Sequence, residues 1–133
     1  MYEFHGWVVL RYHTHDTNER LQDEAVERFI QYIKEVDSMN LSMVKRYNLQ
    51  DSWIISGLHN HSKAYVIDAF HWIAIHLPGS YGLLYIHDDE NQDENDCFTV
   101  RRLVRGQVTL EKDPFLSPYI PTVEDKFDPT RGD

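Results

Sequence analysis

A chain of 133 residues, 41% hydrophobic and 26% charged, suits one globular domain and is too short for two sizeable cores. Its 22 Asp and Glu against 13 Lys and Arg give a formal net charge of -9, which argues against a phosphate-binding surface and so against nucleic acid as partner. A lone cysteine, Cys97, excludes an intrachain disulfide and Cys-rich zinc ribbons. The opening Met1 to Trp7 lacks the pattern of a signal peptide, and no apolar run reaches the roughly 20 residues that span a bilayer. A cytoplasmic protein with no membrane partner is expected.

In chain order, Phe4 to His13 is rich in β-formers and predicts a strand buried on both faces, hence central in its sheet. Asp16 or Thr17 is placed to cap a helix, with Glu19 three residues after Asp16 as in a capping box. Leu21, Ala25, Val26, Phe29, Ile30, Ile33 and Val36 then recur at helical spacing, with an acidic outer face opposite. Ser42–Leu49 and Asp51–His59 read as strands joined by a hairpin at the polar step from Asn48 to Ser52. Ser62 is placed to cap a second helix over Ala64–Leu77, stopped by Pro78-Gly79. This helix is apolar almost all round and should lie deeper than the first.

Three more strands follow, Tyr81–His87, Cys97–Val104 and Gln107–Lys112, the last two joined at Arg105-Gly106. The predicted order is β-α-β-β-α-β-β-β: an α+β fold with two helices on a single mixed, mostly antiparallel sheet. Residues 1–120 should form the domain and 121–133 a proline-containing tail. The terminal Arg131-Gly132-Asp133 spells an adhesion tripeptide, too short to carry a reading.

Asp88 to Asp96 holds six acids and no apolar or basic side chain, so its backbone belongs at the surface. Asp88, Asp89, Glu90, Asp93, Glu94 and Asp96 are candidate contacts for a basic protein, with Trp7, Tyr81 or Tyr85 as aromatic anchors where exposed. Arg101, Arg102 and Arg105 are expected to answer the loop electrostatically. An EF-hand is excluded, because Glu94 stands where the loop needs Gly and Val100 where it needs Glu.

The histidines are the place to look for catalysis. His13 with His15, and His59 with His61, have the i, i+2 spacing that sets two imidazoles on one face of a strand, and four such nitrogens could bind zinc in a hydrolase. His59-Asn60-His61 spells HNH, but the nuclease motif of that name is scattered over its fold. The chain has no Walker loop, GxGxxG, GxSxG or HExxH. Cys97, opening a strand beside Phe98, reads as small-residue packing rather than a nucleophile. No enzyme activity and no cofactor are therefore expected. A further alternative is a structural subunit that homodimerises through a sheet edge.

Tyr2-Glu3-Phe4-His5-Gly6-Trp7, followed by a β run and an amphipathic helix, then Trp53-Ile54-Ile55 with His59-Asn60-His61 and a second buried helix, resembles the Imm7 family of immunity proteins from bacterial polymorphic toxin and contact-dependent growth inhibition systems. The likeness covers about residues 1 to 120. It implies a small α+β cytosolic protein that binds the C-terminal effector domain of a cognate toxin, with a nuclease as one candidate, as a monomer in a 1:1 complex. No contact residue carries over from it.

Overall fold

The computed structural model describes residues 1–16 and 18–133. Strand β1 (Tyr2–Leu10) is followed by helix α1 (Glu19–Val36), the hairpin β2 (Ser42–Tyr47) and β3 (Gln50–His59), then helix α2 (Tyr65–His76). Strands β4 (Tyr81–Asp88), β5 (Phe98–Val104) and β6 (Gln107–Lys112) complete the sheet, and a short turn α3 (Tyr119–Thr122) closes the order. The sheet runs β2-β3-β1-β4-β5-β6, every neighbouring pair antiparallel.

Both long helices lie on one face of this sheet. Alternation sends Phe4, Val8 and Leu10 of β1, Trp53 and Ile55 of β3, and Leu84 and Ile86 of β4 toward them. There they meet Ala25, Val26, Phe29 and Ile33 of α1 and Val66, Phe70 and Ile73 of α2. The central place predicted for β1 holds, but burial on both faces holds only at Val9: His5 and Trp7, on the same uncovered face, are exposed. The apolar run from Trp7 to Leu10 thus serves two faces for two reasons.

Helix boundaries shift by a few residues from the sequence reading. The N-cap of α1 is Asn18, whose Oδ1 accepts the Leu21 N–H at 3.0 Å; with the cap there, Glu19 opens the helix and cannot close a box with Asp16. Thr17 lies outside the described residues. Ser62 does not cap α2, which starts after Ala64 without a side-chain cap, two residues too late for the hydroxyl to reach. As predicted, α2 is the more buried helix, although Ile75 on its outer side is 74% exposed. Strand β2 stops at Tyr47 because Asn48 and Leu49 both turn left-handed (φ 50° and 62°), a two-residue hairpin loop. Arg105 and Gly106 do the same between β5 and β6.

Two buried carboxylates hold the irregular connections. Asp37 accepts the N–H groups of Leu41 (3.0 Å) and Ser42 (2.9 Å) and the Ser42 hydroxyl (2.7 Å), fixing the passage from α1 into β2. Asp113 accepts from the Phe115 and Leu116 N–H groups and the Ser117 hydroxyl after β6. Asp37→Ala removes the shared acceptor of two part-buried backbone donors and a hydroxyl, and a loss of about 2–3 kcal/mol in urea unfolding is expected. A loss under about 0.5 kcal/mol would show that the turn stands without it.

Candidate functional site

The acidic segment lies at the surface between β4 and β5, and most of its acids are already committed. Asp88 accepts the Glu90 N–H, Asp89 takes the Met1 ammonium at 2.6 Å, and Glu90 pairs with His61 at 2.9 Å. Asp96 accepts the Ile120 N–H at 2.9 Å, while its carbonyl accepts from Tyr119 N–H. Asn91 Oδ1 accepts from the N–H groups of Asp93 and Glu94 and sharpens the bend. The side chains of Asp93 and Glu94 accept no hydrogen bond among the described residues; Asp93 is exposed, while Glu94 is half-buried.

The arginines do not answer the loop by ion pairing. Arg101 donates to Thr99 Oγ1 at 2.8 Å, Arg102 points out on the uncovered face, and Arg105 sits in the β5–β6 turn at the other end of β5. Arg101 does share a cleft of about 210 Å³ with Asp88, Glu94 and Tyr2. Burial there pushes the Tyr2 hydroxyl up to about 12.

A second acidic group, which sequence reasoning missed, stands at the opposite end of β1. Asp51 is 3% exposed and grips Arg46 at 2.7 and 3.0 Å, while Arg46 reaches on to Asp23 of α1. These hydrogen-bonded carboxylates hold the guanidinium even more firmly charged than usual. Gln22 ties the cluster to the strand, donating to Asp51 and to the Leu10 carbonyl and accepting the Tyr12 N–H. The cleft here, about 520 Å³, is lined by Asp16, Glu19, Asp23 and Asp51 against Arg11 and Arg46. Its sequence signal was Asp51 itself, an acid on the core-facing parity of a strand.

On the side of the sheet away from the helices lies its uncovered face. The strand registers align Met43, Ile54, Trp7 and Leu83 in one row across β2, β3, β1 and β4. Trp7 is 44% and Tyr81 39% exposed, and their rings meet edge to face at 6.2 Å. Tyr85 is half-buried. The segment after Asp113 covers only a corner of this face, where Tyr119 stacks on His87 at 4.3 Å and Ser117 Oγ accepts the Phe98 N–H.

The histidine pairs do not meet. Tyr2 pairs with His59 and Leu10 with Asp51, so the antiparallel register puts His59 and His61 at one end of β1 and His13 and His15 at the other. Neither pair shares a strand face. His13 Nδ1 accepts the His15 and Asp16 N–H groups in a turn, His59 is buried against Phe4 and bonded to the Tyr65 hydroxyl, and His61 is held by Glu90. Among the described residues no group of three His, Cys, Asp or Glu could hold a metal ion. Arg131 of the terminal tripeptide pairs with Asp125 and Asp133.

The arrangement is that of an α+β domain with its two long helices on one face of an antiparallel sheet. The chain belongs to the Immunity protein 7 family, whose model matches residues 1–125, and its role is that of an immunity protein. No curated protein and no solved structure matches it. No helix among the described residues is long and apolar enough to cross a membrane.

Proposed function

We propose that this immunity protein acts in the cytoplasm by binding the effector domain of a cognate toxin, one to one, and blocking it. The partner is a basic domain, which suits a nuclease whose active site is built positive to hold phosphates. The observation that carries this reading is the charge imbalance, with 22 acids against 13 bases and six of the acids gathered in one exposed loop. Complementary fields of this kind raise association rates by about 10- to 1000-fold, which matters where a free toxin molecule is lethal. The toxin contact is placed on Asp88, Asp89, Glu90, Asp93, Glu94 and Asp96.

The test is co-expression of a tagged copy with the product of the reading frame immediately upstream. A stoichiometric complex and relief of toxicity are expected; neither appearing would sink the reading. Reversal of Asp93 and Glu94 to Lys then probes the field without breaking the loop's own bonds. Association at low salt should slow by about tenfold and lose part of its salt dependence. Unchanged kinetics would move the contact to the acidic outer face of α1.

A further inference from the structure

We infer that the uncovered face of the sheet is the docking platform for the toxin domain, with Trp7 and Tyr81 as its anchors. This rests on the reading of the protein as a toxin-binding inhibitor and names the surface. A sheet covered by helices on one side is expected to alternate polar residues toward water on the other. Here the row Met43, Ile54, Trp7 and Leu83 breaks that rule across four adjacent strands, with Met43 57% exposed. Exposed apolar surface of that continuity marks a contact site.

Charge identifies the occupant. The acidic loop borders this face at the C-terminal end of β4, where His87 of the outer face donates to the Asn95 carbonyl at 2.9 Å and Asp89, Glu90 and Asp93 stand exposed. A matching partner presents an apolar centre beside a basic group. A second copy of this chain does not match, because it carries the same net charge of -9. Trp7 is held in place by Tyr81, so little side-chain freedom remains to be lost when the partner arrives.

The experiment measures binding of the purified effector domain from the upstream reading frame to wild type, Trp7→Ser, Tyr81→Ser and Met43→Lys. Ile75→Ser, on the outer side of α2, serves as control. Urea unfolding verifies that each variant is folded, and light scattering gives its oligomeric state. Trp7→Ser and Tyr81→Ser should each weaken binding roughly 30-fold, mainly by faster dissociation. Met43→Lys, which no core contact depends on, should weaken it about tenfold, and Ile75→Ser should leave it unchanged. Tight wild-type binding that all three face variants retain would overturn the platform and leave the immunity reading standing. A wild-type dimer dispersed by Met43→Lys would give the face to a second copy and overturn it too. No wild-type complex would overturn the platform and the toxin-binding reading together.

Discussion

Trimming Phe29 to alanine should destabilise the protein by about 3–5 kcal/mol, the range for removing a buried aromatic ring. Phe29 is fully buried on α1, with ring centroids 5.3 Å from Trp53 of β3 and 5.7 Å from Trp72 of α2. Among the described residues it is the ring that ties the first helix to both the sheet and the second helix. Trp72 has a further stack on Tyr32 at 4.7 Å and Trp53 a further ring contact with Phe70 of α2 at 5.8 Å, so loss of Phe29 leaves the helix pair touching but takes from the first helix its ring contact with the tryptophan beneath. Because domains of this size hold only about 5–15 kcal/mol in total, such a loss takes up much of the margin. Urea unfolding followed by tryptophan fluorescence reads both stability and the environment of Trp53. A midpoint shift worth less than about 1 kcal/mol would mean that the core closes over the gap.

Gly82→Ala is expected to cost about 3 kcal/mol or more, for the opposite reason. A Cβ at this position would stand 2.0 Å from the Trp7 carbonyl oxygen and 2.8 Å from Val8 Cα. Those atoms are backbone of the neighbouring strand, so no side chain can swing aside; the β1–β4 pairing itself must open. Thermal and urea unfolding of the variant measure the effect. A protein as stable as the parent would show that β1 moves away freely, which would also loosen Trp7 on the outer face.

How much of this was legible in the sequence depends on the scale of the signal. Helical spacing from Leu21 to Val36 and the all-round apolar character of the second helix found both helices, because each pattern repeats over several turns. The alternating runs found all six strands, and Arg105-Gly106 marked its turn correctly. What failed were choices between adjacent candidates. Asp16, Thr17 and Asn18 are all good capping residues, and which one caps depends on where the chain leaves β1. Leu49 was read as strand because a leucine in a left-handed turn is uncommon.

The site was legible only in part. A run of acids announces a surface loop, but nothing in it tells which carboxylates will be taken up by Met1, His61 and Ile120. Trp7 was assigned to a central strand correctly, yet sidedness needs to be known before a central residue can be called buried. The i, i+2 spacing of the histidines put neither pair on a strand face, because His13, His15 and His61 lie past the strand ends, and the antiparallel register that separates the two pairs is a long-range property.

The sheet's order also constrains how the chain can assemble. β1 is first in the chain but third in the sheet, flanked by β3 and β4 and not by β2. Neither of its edges can be satisfied until residues 50–59 and 81–88 exist, whereas β2 with β3 and β5 with β6 close locally across two residues. Synthesis therefore leaves Trp7-Val8-Val9-Leu10 waiting as an unpaired apolar strand, and the loops that finally close around it are long. The strand that carries the proposed anchor cannot be paired on both edges until β4 has been made, so Trp7 takes its position opposite Leu83 only after more than half of the chain exists.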